Sequence, residues 1–342
     1  MIPGFVEISQ ESIALAEAEA VSAAEALGGR GTPGASAIPG LVGVEVPDTR
    51  SWGELAGRLA LARRALVAVA SSADPVTAAR AEGRRGGSAA FRRIGEPSGG
   101  GADVTVLECG RAFKVGGGTI DLEVPSRRYW VVAGADGSPT LLEEVAAVDR
   151  AGPSLRKMPL LPFRRPVSLP PKLARAAMNL ARVRTSDRIL DPFLGTGALL
   201  AEAGLLGARL YGIDRDSTMV RGALQNLAYL GVTAEELIVG DARNVDFGDR
   251  PGTFSAIVTD PPYGRASSTG GEDSSTLVAE VVERWCGSLA PDGRLVLIMP
   301  AGGPPLDVLG VPRFRIPVRV HRSLTREFCL YEGAAIVRRS SH

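Results

Sequence analysis

Residues 188–214 read RILDPFLGTGALLAEAGLLGARLYGID, and the fold follows from them. Arg188-Ile189-Leu190 is a short apolar run that ends on Asp191, as a buried strand does. From Asp191 to Gly197 the residues are Asp-Pro-Phe-Leu-Gly-Thr-Gly, whose glycines let the backbone reverse sharply and approach a ligand closely. Gly197 to Leu206 has the composition of a helix, and Arg209 to Ile213 is a second apolar run. Strand, glycine turn, helix and strand make a βαβ unit, the building block of a parallel sheet covered on both faces.

The same rhythm continues downstream. Helices are expected over Thr218–Leu230 and Ser275–Leu289, and strands over Leu237–Val239, Ala256–Thr259 and Arg294–Met299. A closing hairpin is expected from Val318–His321 and Phe328–Val337. Upstream, Pro170-Pro171 opens a helix over Lys172–Ala181, proline being tolerated in a first turn. Ala151 to Leu169 holds Pro153, Pro159, Pro162 and Pro166 among basic residues and reads as an extended linker. Residues 1–150 read as mixed α+β, in small units cut by glycine-rich loops. Helices are expected over Glu11–Leu27 and Thr77–Ala81, and Trp52–Val69 as a helix running into a strand. Strands are expected at Phe5–Ile8, Leu41–Val46, Val104–Leu107, Thr119–Val124 and Tyr129–Ala133.

Composition narrows the class. Hydrophobic residues make up 45% of the 342-residue chain and charged residues 23%, the mixture of a globular protein. No apolar run reaches the roughly 18 residues of a membrane span. Met1 to Ser9 lacks the basic leader of a signal peptide, so a cytoplasmic protein is expected. Cys109, Cys286 and Cys329 lie far apart and form no CxxC, and the 2 histidines are too few for a histidine-based site; no metal is expected. The net charge of +1 argues against binding nucleic acid with the whole surface. Basic residues do cluster, from Arg156 to Arg188 and again at Arg313, Arg315, Arg319, Arg322 and Arg326. Such clusters suit either phosphate contact or a solvated helix face.

The chemistry lies at the expected strand ends. Asp191, Asp214 and Asp241 close three successive strands. One acid in such a place is commonly a cap or turn former. Three together suit a ligand, because open α/β sheets bind ligands outside the carboxyl ends of their strands. Asp214 is placed to accept ribose hydroxyls, and Asp241 an adenine amino group. A dinucleotide fingerprint would need glycine at residue 200, which is Leu200, so the turn departs from the nicotinamide pattern.

Asp260-Pro261-Pro262-Tyr263-Gly264 follows the fourth strand. An exocyclic amino group on a base is a weak nucleophile, because its lone pair is delocalised into the ring. Two acceptors, the Asp260 carboxylate and the Pro261 carbonyl, would localise that lone pair and stabilise charge developing on nitrogen. Tyr263 supplies a ring on which a base could stack.

Asp260-Pro261-Pro262-Tyr263, after Asp191 to Gly197, resembles the amino-methyltransferases of the class I Rossmann-like type. The resemblance implies S-adenosyl-L-methionine as cofactor, held by Asp191, Phe193, Gly195, Thr196, Gly197, Asp214, Asp241 and Ala242. It implies Asp260, Pro261 and Tyr263 as the catalytic set. Arg164-Arg165-Pro166, Leu169 to Ala181, Met219 to Ala223 and Asn226-Leu227 are similar to segments of the archaeal tRNA guanosine-10 N2-methyltransferase family. That family implies a ferredoxin-like domain over 1–70, a THUMP-like RNA-binding domain over 71–150, a linker over 151–168 and a class I methyltransferase domain over 169–342. It implies methylation of the guanine N2 in tRNA, once or twice; under that reading the basic residues Arg92, Arg93, Arg164, Arg165, Lys172 and Arg322 are expected to contact the RNA. The fold expected is thus a Rossmann-like α/β domain preceded by a smaller α+β region.

A DNA adenine-N6 or cytosine-N4 methyltransferase shares Asp-Pro-Pro-Tyr, because it faces the same amino group. The segment 164–181 and the N-terminal α+β region argue against it. Protein-glutamine methylation uses a related motif that usually opens with Asn. A non-catalytic RNA-binding protein on a methyltransferase fold would have little use for all four acids.

Overall fold

The computed structural model describes residues 1–33, 38–69, 74–95, 101–133, 138–148, 160–165, 168–248, 253–262, 274–302, 306, 309–321 and 324–333. The chain divides into two compact units, Met1–Asp149 and Arg150–His342.

The first unit runs β1 (Ile2–Ile8), α1 (Ile13–Ala26), β2 (Arg30–Gly31), β3 (Leu41–Val46), α2 (Thr49–Arg58), β4 (Ala62–Ala68), α3 (Pro75–Gly83), β5 (Ser88–Arg93), α4 (Gly101–Gly116), β6 (Thr119–Ile120), β7 (Arg127–Ala133) and β8 (Pro139–Ala147). Its eight strands form one sheet in the order β2-β3-β1-β4-β8-β7-β5-β6. The expected border near residue 70 falls between β4 and α3, yet β4 pairs antiparallel with β8, so the sheet continues across it.

Two expectations fail here for physical reasons. Val104–Leu107 lies inside helix α4 and is not a strand. The β-branched run suggested a strand, but Val106, Cys109 and Phe113 recur at helical spacing and pack together in the core, and that period decides. The strand expected over Thr119–Val124 stops at Ile120. The Asp121 side chain accepts from the backbone N–H groups of Glu123 (2.9 Å) and Val124 (3.0 Å), which turns the chain away.

The second unit contains α5 (Pro171–Leu180), β9 (Arg188–Asp191), α6 (Ala198–Gly204), β10 (Arg209–Asp214), α7 (Ser217–Tyr229), β11 (Glu236–Val239), β12 (Phe254–Thr259), α8 (Ser274–Cys286), β13 (Leu289–Pro300), β14 (Phe314–His321) and β15 (Leu324–Glu332). The sheet order is β11-β10-β9-β12-β13-β15-β14. The first five strands in that order are parallel. β15 runs antiparallel to both β13 and β14. This is a Rossmann-like sheet, whose strand order reverses between β9 and β12; a crevice opens at such a switch point. Within the expected linker, residues 151–159 and 166–167 lie outside the described residues. Leu161 is buried, so that part of the segment packs onto the unit.

Trp285, Phe254, Tyr211 and Phe247 meet mostly edge to face in the core beneath the sheet. The Trp285 indole N–H donates to the Ala242 carbonyl at 2.8 Å. This ties α8 to the turn after β11 and so fixes one side of the crevice.

Candidate active site

The glycine turn after β9 takes its shape from two left-handed residues, Gly195 (φ +53°) and Gly197 (φ +78°). Side chains are disfavoured there. At Gly197 an added Cβ would also stand 3.0 Å from the Ala223 Cβ on α7, whereas at Gly195 its nearest neighbour would be 3.9 Å away. Gly197 therefore serves close packing, and Gly195 leaves space beside the crevice.

The four acids stand at the carboxyl ends of four adjacent strands, in the order Asp241, Asp214, Asp191, Asp260 across the sheet. All four line one cavity of about 400 Å³, together with Ser168, Phe193, Met219, Ala242, Pro261 and Arg326 among others.

Asp191 is wholly buried. Its Oδ1 accepts from the Thr259 hydroxyl (2.7 Å) and from the Phe193 backbone N–H (3.1 Å); among the described residues no group donates to Oδ2. Burial pushes its carboxyl up to about 7, against the opposing effect of those two hydrogen bonds. Asp214 accepts from the Gly195 N–H and the Asp216 N–H, both at 2.9 Å. It thus pins the glycine turn to the end of β10, and burial raises its pKa. Asp241 differs. Arg243 donates to it from Nη2 (2.7 Å), Nε and the backbone N–H (both 3.0 Å), and Arg215 donates from Nη2 (2.8 Å). The Arg243 hydrogen bonds lead in holding its carboxyl well below the usual carboxylate range. An adenine amino group would have to share this acceptor with two arginines.

Asp260 and Pro261 follow β12, and Arg326 reaches Asp260 from β15, its Nη1 donating to Oδ1. The register explains the meeting, since Arg326 pairs with Pro300 at the end of β13, the strand beside β12. Tyr263 lies outside the described residues, as does Arg322.

The remaining basic candidates lie on separate elements of the two units. Arg92 and Arg93 are on β5 of the first unit, with the Arg92 guanidinium 6.0 Å from the Trp130 ring centre. Arg164 donates to the Leu161 carbonyl (3.0 Å), Arg165 stacks over Phe163 (4.8 Å), and Lys172 is in the first turn of α5. Several other arginines of the two clusters are consumed internally. Arg175 pairs with Glu202, Arg313 with Glu332, and Arg315 with Glu327. Sequence reasoning missed Thr259, Ser168 and the role of Arg326, because each meets the site across a strand or loop rather than along the chain.

Among the described residues no cluster of three His, Cys, Asp or Glu could hold a metal ion, and no helix is long and apolar enough to cross a membrane.

A family model described as RMKL-like, methyltransferase domain (UPF0020), matches residues 161–315. The chain is 45% identical over 169 residues to a tRNA (guanine(10)-N2)-dimethyltransferase of Methanothermobacter thermautotrophicus, over 48% of this chain and 49% of that protein. It is 34% identical over 172 residues to a probable tRNA (guanine(10)-N2)-dimethyltransferase of Methanothermococcus thermolithotrophicus, over 47% of this chain and 98% of that protein. The matched region spans about half the length of the Methanothermobacter relative. The crystal structure of TrmN from Thermus thermophilus aligns over 96% of this chain and 99% of its own, at a TM-score of 0.48 and 22% identity.

Proposed function

The chain belongs to the tRNA (guanine(10)-N2)-methyltransferase family, and from that premise we propose that it methylates the N2 amino group of guanosine-10 in tRNA, once or twice, using S-adenosyl-L-methionine. The observation that carries the reading is the row of four acids around one cavity, with Asp260-Pro261 at one end of it.

The residues fit the cofactor. A wholly buried carboxylate facing a mostly apolar cavity suits an ammonium group, because an unpaired buried charge is costly. Asp191 would take that group, beside Phe193 and the Gly195-Thr196-Gly197 turn. Asp214 would accept the ribose hydroxyls, and Asp241-Ala242 would border the adenine. When bound, the cofactor supplies an electrophilic methyl group.

Asp260 and Pro261 would accept the two N–H groups of the target amine. Arg326 engages Oδ1 of Asp260, so Oδ2 is the oxygen for the substrate. Held this way, the amine has its lone pair directed at the methyl group, and positive charge growing on nitrogen is met by the carboxylate. The base leaves its stack to reach this depth, and Tyr263 would stack on it. Arg92, Arg93, Arg164, Arg165, Lys172 and Arg322 would contact phosphates. Residues 1–70 and 71–150 would serve as ferredoxin-like and THUMP-like parts that read RNA shape. A cytoplasmic location fits a tRNA substrate.

The test is to incubate the protein with radiolabelled S-adenosyl-L-methionine and unmodified tRNA transcripts, with DNA in parallel, and to identify the labelled nucleoside. Label in N2-methylguanosine that disappears in Asp260→Ala supports the reading. Label in DNA and none in tRNA sinks the substrate.

A further inference from the structure

Asn226 sits on α7 with 2% of its surface exposed and does not line the cavity. Its side-chain amide is nonetheless fully engaged. Oδ1 accepts from the Phe163 backbone N–H (3.0 Å), and Nδ2 donates to the carbonyls of Phe163 (3.1 Å) and Thr196 (3.1 Å). One amide thus joins the segment before α5 to the glycine turn. A second bond repeats the link, between the Ser168 and Thr196 hydroxyls at 2.8 Å. One turn of α7 before Asn226, Gly222 offers the Phe163 ring its seat, and a Cβ there would land on the ring. The same segment supplies Arg165, Ser168 and Leu169 to the cavity wall.

We propose that Asn226 is a positioning residue of the cofactor site, which latches the segment around Phe163 to the glycine turn and thereby shapes the wall formed by Arg165, Ser168 and Leu169. The inference rests on the cofactor reading above. An asparagine is needed because the job requires one acceptor and two donors from a single planar group; aspartate could offer no donor. Since the latch and the cofactor share the glycine turn, each stabilises the other's bound state, and the linkage is reciprocal. Cofactor affinity therefore depends on Asn226, Gly222 and Phe163, three residues that do not line the cavity.

The experiment titrates the full chain with S-adenosylhomocysteine by calorimetry and follows hydrogen exchange in the peptide containing Phe163. Three variants are compared with wild type: Asn226→Ala, Phe163→Ala and Gly222→Ala. The last is the most telling, because alanine favours the helix and only the seat of the ring is lost. Each variant is expected to weaken binding about tenfold, an ordinary magnitude for coupled sites. Each should raise KM for S-adenosyl-L-methionine with kcat at saturation little changed. Bound ligand should slow exchange at Phe163 in wild type and less so in Asn226→Ala. If Asn226→Ala fails to fold, Gly222→Ala and Phe163→Ala decide alone. Wild-type affinity in folded Gly222→Ala and Phe163→Ala would overturn the latch while leaving the cofactor reading intact. No binding by wild type would overturn the cofactor reading and the latch with it.

Discussion

Asp191 has lost its water to burial, and its carboxyl is pushed up to about 7 from an ordinary 3.8. A carboxyl raised in the folded state holds a proton that the unfolded chain releases. Its effect on stability is therefore absent near pH 4, grows unfavourable as pH rises toward 7, and is complete above that. Asp191→Asn keeps an acceptor for Thr259 and Phe193, whose bonds both fall on Oδ1. We expect it to raise stability at pH 8 by roughly 1–3 kcal/mol, with little change at pH 4, while weakening S-adenosylhomocysteine binding. Denaturant unfolding at the two pH values, beside calorimetric titration, checks both signs. The two glycines should also separate. Gly197→Ala combines a left-handed φ with a tight approach to Ala223 and should cost about 1–3 kcal/mol. Gly195→Ala has open space, so it should cost less stability and lose more cofactor affinity. The acids, the turn and Asp260-Pro261 were legible in the sequence, because each ends its strand or begins within two residues of its end. Arg326 and Thr259 were not, because their places depend on which strands lie side by side, nor was Ser168, which meets Thr196 of the turn from the segment before α5.

Helices α5 and α6 flank the glycine turn and are joined by Arg175 and Glu202, a 2.8 Å pair with side chains 9% and 2% exposed. Removing Arg175 strips the buried Glu202 carboxylate of its guanidinium partner, and removing Glu202 strips the guanidinium of its carboxylate. Arg175→Met should therefore destabilise by about 3–5 kcal/mol, and the double replacement with Glu202→Leu by clearly less. Thermal unfolding of the two single variants and the double variant measures the difference. At this scale the parallel half of the second unit was readable from its alternation of apolar runs and helical segments. The first unit was harder. Strand β5 is built from Ser88, Ala89 and Ala90 before Phe91, small residues without a strand signature. Helix α4 was hidden behind Val104-Thr105-Val106, where β-branched residues outweighed a helical period that only the buried set reveals.

Over the whole molecule, net charge of +1 conceals an uneven use of arginine. Many arginines are paired within the fold, so under the proposed function contacts with RNA would fall to others. If Arg92 and Arg93 touch phosphates, Arg92→Ala with Arg93→Ala should weaken tRNA binding and reduce the salt slope by about one for each phosphate no longer neutralised. Cofactor affinity should be unchanged. Filter binding across a salt series reads this, and an unaltered slope would remove these residues from the interface. The division at residue 149 was legible in the proline-rich basic stretch that follows it. The single sheet of the first unit was not, because the β4–β8 pairing joins strands far apart in sequence, with α3, β5, α4, β6 and β7 between them.

If a single amino group is the target, taking away that group alone should abolish the reaction. Two tRNA transcripts would be compared, one with guanosine at position 10 and one with inosine there, which lacks only the N2 amine. Methyl transfer is expected to the guanosine transcript, recovered as N2-methylguanosine, and none to the inosine transcript. Equal labelling of both would contradict N2 as the methylated atom.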